Sequence, residues 1–285
     1  MPKMTKPDLS GVAETLLITL YIRATESQRP DALIKDERAE ALARQLDSKT
    51  LQITLALTEG TGRLLLILKS WEFDRFAQDF LRRHPNAVVV HMGCGLDPRF
   101  ERVDNSQVEW VDLDLPEVIQ LRRKLIGSEA GRDHLLAGSV LEDSWLEVVE
   151  AHHPRPDLFL AEGVSMYFTE AQVKSLVLRL KEHFPAAELV FDTHSPFRRW
   201  AHNLKVSRKR VGARLNWELK HSQDLEGWAA ASACSLNGFV SNSRKSLSAA
   251  PGGSANFSPW WRGAWAFFAT SSEEANLVRF HSISV

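Results

Sequence analysis

Apolar and polar residues follow two different rhythms along the chain, and the first of them is helical. Over residues 12–21 and again over 39–46, apolar side chains recur at the spacing of one face of a helix. Glycines interrupt this pattern up to Gly62, and aromatic residues then return at helical spacing from Trp71 until shortly before Pro85. The first 85 residues are therefore predicted to be mainly helical.

Short apolar or β-branched runs set the second rhythm, and helical stretches separate them. The runs that predict strands cover residues 87–90, 108–111, 135–137, 158–160 and 189–191. The stretches that predict helices between them cover residues 117–126, 144–150 and 170–184. This alternation is typical of βαβ units, and strands without polar alternation fit a mainly parallel sheet with helices on both faces.

The alternation ends after the fifth predicted strand. Residues 196–220 carry many basic and few acidic side chains, and we interpret them as a basic helix. Residues 241–259 are rich in Ser, Gly, Ala and Asn, which predicts a mobile loop. Residues 265–268 and 277–283 then predict an antiparallel hairpin that closes the fold.

Composition narrows the class of protein. The chain has 285 residues, of which 44% are hydrophobic and 25% charged, as expected of a soluble globular protein. Its net charge of -1 gives no sign of a nucleic-acid or membrane partner. Two distant cysteines, Cys94 and Cys234, argue against a metal site or a disulfide framework. The beginning of the chain does not resemble a signal peptide, and the apolar run over residues 64–68 is too short to span a bilayer, so we expect a cytoplasmic protein.

The first predicted strand runs into a bend that is nearly bare of side chains, in "VVVHMGCGLDPRF". Gly93 and Gly95 allow the backbone to pass close to a ligand, because a Cβ there would collide with it. In an open α/β sheet, ligands bind at the carboxyl ends of the strands, where the strand order reverses. Asp97 and Pro98 then fit a helix start, with Asp97 as the N-cap and Pro98 in the first turn.

A carboxylate after the second predicted strand narrows the choice of ligand. Asp114 follows Gly95 by 19 residues, a spacing suited to a carboxylate that accepts hydrogen bonds from ribose hydroxyls, and Asp112 is an alternative. Pro98 and Arg99 occupy the region where a dinucleotide-binding motif has its third glycine, which counts against NAD or FAD. An adenosine ligand without a pyrophosphate needs only the bend and the carboxylate, and S-adenosylmethionine is the common ligand of that kind.

Four blocks of the sequence carry a resemblance to a known family. The blocks "VVVHMGCGLDPRFERV", "WVDLDLPEVIQLRRKL" and "DLFLAEGVSMYFTEAQVKSLV" resemble the leucine carboxyl methyltransferase family of S-adenosylmethionine-dependent methyltransferases. The block "ETLLITLYIRATESQRPDALIKDERA" resembles the N-terminal part of its branch of bacterial polyketide O-methyltransferases. The blocks occur in order over about residues 12–195.

With the strand pattern, the resemblance implies an α/β class I methyltransferase fold, Rossmann-like, with a mainly parallel sheet and a final antiparallel hairpin. We expect a helical N-terminal cap over residues 1–85 and an S-adenosylmethionine-binding methyltransferase domain over residues 86–285. A lid insertion is expected at about residues 195–260.

The resemblance also implies how the cofactor is held. Gly93 and Gly95 would underlie its methionyl part, and Asp114 would hold its ribose. Ser139 and Val140 would occupy the adenine position after the third strand. Many methyltransferases have Asp where Ser139 stands, so the backbone is a candidate for that contact.

The amino acid end of the cofactor is assigned in the same way. Glu162 matches a residue that contacts the cofactor near this end, and Tyr167 matches a tyrosine close to the methyl-transfer centre. Arg23 matches a basic residue placed to meet the cofactor carboxylate. Relatives often carry an arginine where this chain has Lys69-Ser70; lysine keeps the charge but lacks the bidentate fork.

Methyl transfer from a sulfonium is an in-line displacement, so the enzyme mainly has to hold the acceptor oxygen close and collinear. A carboxylate acceptor needs no base, whereas a phenol with a pKa of about 10 would benefit from one. The candidate catalytic residues are Tyr167 and His194, with Arg198 as a second residue that could orient an anionic group. The aromatic side chains that could wall a flat acceptor are Trp200, Trp217, Trp260 and Trp261.

The sequence thus predicts an S-adenosylmethionine-dependent O-methyltransferase that acts, without a metal, on a carboxylate or phenolic oxygen of a small molecule such as a polyketide. No nucleic-acid or membrane partner is expected, and the oligomeric state is left open. A protein C-terminal carboxylate as acceptor, an NAD-dependent oxidoreductase and a non-catalytic cofactor-binding protein are the alternatives. The missing third glycine and the "AEGVSMYF" block argue against the oxidoreductase.

Overall fold

The computed structural model describes the greater part of the chain. The described residues are 16–45, 61–127, 131–152, 154–184, 186–194, 199–200, 202–204, 213–219, 228 and 278–284.

Three helices precede the sheet: α1 (Leu16–Ser27), α2 (Glu37–Ala43) and α3 (Thr61–Arg83). This agrees with the helical pattern of the first part of the chain. Helix α3 starts ten residues before Trp71, although the glycine pattern predicts an interruption there. Gly62 lies in the first turn of α3, where a glycine interrupts a helix far less than it does in the interior.

The sheet has six strands: β1 (Val88–Met92), β2 (Glu109–Asp114), β3 (Asp133–Ala137), β4 (Asp157–Ala161), β5 (Glu188–His194) and β6 (Val278–Ser284). Their order is β3-β2-β1-β4-β5-β6. Strands β1 to β5 are parallel, and β6 runs antiparallel to β5. The five predicted parallel strands are therefore confirmed. Strand β6 confirms the second half of the predicted hairpin, and residues 265–268 lie outside the described residues.

Helices and one 3-10 turn connect the parallel strands β1 to β5. They are α4 (Arg99–Val103), α5 (Pro116–Leu125), α6 (Leu146–Glu150), the 3-10 turn (Ser165–Tyr167) and α7 (Glu170–His183). Thr169 caps α7 and forms a reciprocal capping box with Gln172, which fixes where the chain leaves the turn.

The strand order reverses between β1 and β4. These two strands are neighbours in the sheet, with His91 opposite Leu160, and each is followed by a glycine-containing bend. Strand β2 lies on the other side of β1, so its last residue, Asp114, ends at the same edge. The crevice outside the carboxyl ends of β1 and β4 is therefore the topological switch point of the sheet.

The sheet is buried on both faces by apolar side chains. On one face, Val90 and Met92 of β1 pack with residues of α6 and α7. On the other face, Val89 packs with Phe73 and Phe80 from the second half of α3. The first half of α3 packs on α1 instead. The division of the chain at residue 85 into a cap and a methyltransferase domain stays a prediction.

The segment after β5 departs from the prediction of one basic helix over residues 196–220. Residues 199–200 and 202–204 are helical, but residues 213–219 have no regular secondary structure, so the prediction is wrong there. In this stretch the backbone N–H groups of Asn216 and Trp217 donate instead to the carbonyl of Met166, at 2.8 and 3.2 Å. These bonds replace the internal hydrogen bonds of a helix.

The predicted loop over residues 241–259 lies outside the described residues. Within the part of the chain that the structure describes, no helix is both long and apolar enough to cross a membrane.

Candidate functional site

The bend after β1 requires glycine at both predicted positions. Gly93 has φ +69° and Gly95 has φ +54°, in the left-handed region that other residues rarely adopt. A Cβ on Gly93 would lie 2.4 Å from Cγ2 of Val164, a residue of the bend after β4. The two bends therefore approach each other across the switch point, and Gly93 is the residue that allows this approach.

Asp114 lies beside this bend. The backbone N–H of Gly95 donates to its Oδ2 at 2.7 Å, and the N–H of Leu115 donates to its Oδ1 at 2.7 Å. A carboxylate oxygen has two acceptor positions, so each oxygen retains one for a further donor. Burial raises the pKa of Asp114, against the lowering effect of the two backbone hydrogen bonds. Helix α5 has Leu115 as its N-cap, so Asp114 does not cap it.

Asp112, the alternative to Asp114, is fully buried and has other partners. Its carboxylate accepts from the ring nitrogen Nδ1 of His91 at 3.1 Å and from Nε1 of Trp110 at 2.9 Å, and it forms a close ion pair with Arg122. Burial opposes the charge, but Arg122 and His91 outweigh it and lower the pKa of Asp112. Asp112 thus belongs to the interior of the sheet, and Asp114 is the carboxylate at the crevice.

Asp97 does not cap the next helix, so that prediction is wrong. Helix α4 begins after Pro98 without a side-chain cap. The carboxylate of Asp97 instead accepts from Nη1 of Arg102 at 2.7 Å and lies 3.1 Å from Nη2 of Arg99. It also lies 3.7 Å from Nε of Arg23. Although burial opposes the charge, these three arginines hold the pKa of Asp97 well below its usual range.

Arg23 reaches the same bend from helix α1. Its Nε donates to Asp36 at 2.9 Å, and its Nη2 donates to the carbonyl of Leu96 at 2.9 Å. The side chain is buried and is part of a structural ion pair. The structure therefore places Arg23 directly behind the glycine bend, while its contact with a cofactor carboxylate stays a prediction.

Glu162 and Lys69 lie on the other side of the switch point. Glu162 follows β4; it accepts from the hydroxyl of Ser70 at 3.1 Å and forms a close ion pair with Arg99. Nζ of Lys69 lies 3.8 Å from Glu162 and 3.3 Å from Asp192 of β5. Burial opposes the charge of Lys69, but the two carboxylates outweigh it and raise the pKa of Lys69.

Asp192 also holds the bend after β4. Its Oδ1 accepts from the backbone N–H of Gly163 at 2.6 Å, and its carbonyl accepts from the hydroxyl of Ser165 at 2.6 Å. Gly163 has φ +71°, and a Cβ there would lie 3.3 Å from Nζ of Lys69. The bend, the ammonium group and the carboxylate form one tightly packed unit. Tyr167 is half-buried in the 3-10 turn that follows.

Two residues after β3 are predicted to lie at the adenine position, Ser139 and Val140. They differ in the groups that are available to a ligand. The backbone N–H of Gly138 donates to the carbonyl of Asp114 at 2.9 Å, so this segment starts next to the crevice. The hydroxyl of Ser139 accepts from the N–H of Leu141 at 3.2 Å. Val140 is buried in the core on the α6 and α7 side. Any contact of Val140 with an adenine is thus left to its backbone.

His194 is the last residue of β5 and is buried, at the same carboxyl edge as the two bends. Trp217 packs its ring on Phe191, with centroids 6.2 Å apart. Trp200 is 61% exposed. Two further predicted acceptor residues, Trp260 and Trp261, lie outside the described residues, as does Arg198.

Sequence reasoning missed the buried charges that connect the two sides of the crevice. Arg99 and Arg102 lie on one face of α4, since they are three residues apart, and both donate to Asp74 of α3. The pair of arginines directly after the glycine bend was the signal that could have indicated them. Its carboxylate partners could not be identified, because they come from distant parts of the chain.

Comparison with known proteins finds similarity to methyltransferases. The family model described as leucine carboxyl methyltransferase matches residues 16–181. The tetracenomycin polyketide synthesis O-methyltransferase TcmP of Streptomyces glaucescens is 35% identical over 220 residues, which cover 76% of this chain and 79% of that protein. The S-adenosyl-L-methionine-dependent methyltransferase dpfgK of Gibberella zeae is 29% identical over 237 residues, covering 78% of this chain and 80% of that protein.

Solved structures share the fold at low identity. A candidate methyltransferase from Thermobifida fusca YX superposes with a TM-score of 0.63 at 12% identity, covering 96% of this chain and 95% of that chain. A duf574 family protein from Streptomyces avermitilis superposes with a TM-score of 0.52 at 12% identity, covering 93% of this chain and 96% of that chain.

Proposed function

The chain belongs to the leucine carboxyl methyltransferase family and is an S-adenosylmethionine-dependent O-methyltransferase with a class I methyltransferase fold, and we propose that its acceptor is a carboxylate or phenolic oxygen of a small molecule such as a polyketide. The similarity to TcmP, whose name places it in tetracenomycin polyketide synthesis, supports a small-molecule acceptor. Family membership sets aside the NAD-dependent oxidoreductase.

The observation that carries the cofactor site is the pairing of Asp114 with the glycine bend. Each of its oxygens already accepts one backbone N–H and retains one acceptor position. Two such positions on one carboxylate suit the two hydroxyls of a ribose. The glycine bend gives the remainder of the cofactor a close approach to the backbone at the switch point of the sheet.

The amino acid end of the cofactor would lie across the crevice. Glu162 offers a carboxylate for its α-ammonium group, and Lys69 offers a buried cation for its carboxylate. An ammonium group has three donors, and the pairing of Lys69 with Asp192 at 3.3 Å uses one of them. Arg23 would support this end from behind the bend, where it donates to the carbonyl of Leu96. Ser139 and the backbone of Val140 would border the adenine.

When bound, the cofactor supplies a methyl group that is already activated by its sulfonium. The protein then needs to hold an acceptor oxygen in line with it and exclude water. A carboxylate acceptor is ionised near neutral pH and requires only positioning. A phenol gains from a base, and Tyr167 and His194, both at this carboxyl edge, are the residues we assign to that task.

The test measures binding and product chemistry separately. Calorimetry with S-adenosylmethionine and with S-adenosylhomocysteine should show binding by the wild-type chain and a large loss in Asp114→Ala. A panel of aromatic carboxylic acids and phenols, incubated with methyl-labelled cofactor, should yield labelled product. Alkaline hydrolysis releases label from methyl esters and leaves aryl methyl ethers intact, so it assigns the acceptor oxygen. Binding without label in any acceptor of the panel would contradict the small-molecule assignment.

A protein C-terminal carboxylate is the second candidate acceptor, and the description of the matching family favours it. Incubation of the enzyme and labelled cofactor with peptides that end in leucine, against the same peptides as C-terminal amides, separates the two. Label in the free acids alone would support the protein substrate. A non-catalytic protein would bind the cofactor and label neither peptides nor small molecules.

A further inference from the structure

The side chain of Arg99 joins both sides of the switch point. It is the first residue of α4, directly after the glycine bend, and it is 0% exposed. Its Nε donates to Asp74 of α3 at 2.7 Å, and its Nη1 lies 3.2 Å from the ring nitrogen Nε2 of His91 in β1. Its Nη2 pairs with Asp97 at 3.1 Å.

The same Nη2 forms a close ion pair with Oε2 of Glu162, the residue that follows β4. One guanidinium group therefore connects the bend after β1, helix α3 and the bend after β4. The five N–H donors of arginine are fixed in one plane, so a guanidinium held by several partners has a defined orientation.

The other donors to Glu162 do not fix its carboxylate in the same way. The hydroxyl of Ser70 lies 3.1 Å from one oxygen and 3.2 Å from the other, and it has a single hydrogen to donate. Nζ of Lys69 lies 3.8 Å from Oε1, beyond hydrogen-bond range, and is closer to Asp192. The charge-assisted bond from Arg99 is thus the contact that distinguishes the two oxygens of Glu162.

We propose that Arg99 is a positioning residue of the methyltransferase: it holds Oε2 of Glu162 and thereby directs Oε1 towards the cofactor. This inference rests on the proposed function, because the role of Glu162 at the amino acid end of the cofactor belongs to it. Arg99 does not touch the cofactor in this assignment. It acts through Glu162, and its own orientation comes from Asp74, Asp97 and His91.

Arg102 provides a matched control within the same cluster. It lies on the same helix and donates to Asp74 at 2.6 and 2.9 Å and to Asp97 at 2.7 Å. It therefore shares two of the carboxylate partners of Arg99, but within the described part of the chain it forms no ion pair with Glu162. Removal of either arginine takes one cationic partner from the buried carboxylates Asp74 and Asp97 and should lower stability. Only the removal of Arg99 releases Glu162.

The experiment compares cofactor binding with stability in matched pairs of variants. Calorimetry would give the Kd for S-adenosylhomocysteine, and thermal unfolding would give Tm, for Arg99→Met and Arg102→Met. We expect both variants to lose stability, with the Kd raised more than tenfold in Arg99→Met and less than threefold in Arg102→Met. An equal effect of the two substitutions on Kd would overturn the proposal.

Two further variants keep the test decisive if the methionine variants do not fold. Arg99→Lys keeps the charge but loses the planar fork, and Arg102→Lys is its control; the same contrast in Kd is expected, at about three- to tenfold. In a Glu162→Gln background, Arg99→Lys should add little to the rise in Kd, because no carboxylate remains to be oriented. Independent effects of the two changes would count against the assignment. Failure of the wild-type chain to bind the cofactor at all would instead refute the proposed function.

Discussion

The backbone N–H of Gly95 and the carboxylate of Asp114 are joined by a hydrogen bond of 2.7 Å, across two neighbouring strands and 19 residues of sequence. The bond ties the shape of the glycine bend to the position of the proposed ribose acceptor. Both features come from the carboxyl ends of strands that pair in register, with Met92 of β1 opposite Leu113 of β2.

Asp114→Ala should weaken cofactor binding about tenfold or more, because a partly buried carboxylate that accepts two hydroxyls would be lost. Calorimetry with S-adenosylhomocysteine measures the change. Glu117→Ala is the matched control, since Glu117 is exposed in the first turn of the next helix and has no assigned role. Unchanged affinity in Asp114→Ala, or an equal loss in both variants, would remove Asp114 from the ribose site.

Gly93→Ala should destabilise the fold by two separate effects. The left-handed backbone costs about 1 kcal/mol for a residue with a Cβ, and the new Cβ would meet the side chain of Val164 at 2.4 Å. Gly131→Ala is the control for the first effect, because Gly131 has φ +66° and open space around its Cα. Urea unfolding should show a larger loss for Gly93→Ala than for Gly131→Ala.

The clash between a Cβ at position 93 and Val164 should be relieved by a smaller side chain at position 164. Val164→Ala removes the methyl group that Gly93→Ala would strike, so the double variant should lose less stability than the sum of the two single variants. Strictly additive losses of stability would show that the two bends do not approach each other as closely as the structure describes.

Lys69→Met should cost several kcal/mol of stability, about 3–5 for a broken buried ion pair, because it leaves the carboxylate of Asp192 without its cation. Asp192→Asn removes that charge and should recover part of the loss in the double variant. Chemical unfolding of the two single variants and the double variant gives the coupling free energy. A coupling near zero would mean that the 3.3 Å contact has no energetic role.

Asp133→Asn should change the dependence of stability on pH. Burial, and to a smaller extent the nearby charge of Asp112, raise the pKa of Asp133 from 3.8 to about 6. The folded protein therefore binds this proton more tightly than the unfolded chain does. The resulting stability is fully present below pH ~4 and is lost as the pH rises through about 6.

At pH 8 we therefore expect Asp133→Asn to be more stable than the wild type. A pKa rise of this size corresponds to ~3 kcal/mol of stability at a site that excludes water. Because Asp133 is only half-buried, we expect a stability difference of about 1 kcal/mol. The difference should vanish near pH 4. Asp104→Asn is a control of opposite sign, because its hydrogen bonds with Arg132 lower the pKa of Asp104. Thermal unfolding at a series of pH values checks both.

The parallel sheet could be predicted because its strands are apolar on both faces, but their ends could not. The first, second and fifth predicted strands stop before His91, Asp112 and Asp192, whereas β1, β2 and β5 continue to Met92, Asp114 and His194. The polar residues within these extensions are buried, except for the half-buried Asp114. Asp112, for example, has the partners His91, Trp110 and Arg122, which hydrophobicity does not reveal.

The candidate site likewise contains some residues that the sequence could predict and others that it could not. The glycine bend and Asp114 could be found from their spacing, since a turn and a carboxylate leave a local pattern in the sequence. The network around Arg99 could not, because its partners Asp74, Asp97 and Glu162 meet only through the packing of α3 on the sheet. Asp97 illustrates the resulting error: its position suggested a helix cap, but three arginines compete for its carboxylate.

The stretch 213–219 adheres to the turn of Tyr167 through the carbonyl of Met166, which receives two backbone N–H groups. Main-chain hydrogen bonds do not depend on which side chains the chain carries. The exposed side chains of this stretch, such as that of Arg214, could therefore change without moving the turn of Tyr167. We predict that this stretch borders the acceptor, so substitutions at its exposed positions would alter the choice of acceptor while the backbone around Tyr167 keeps its position.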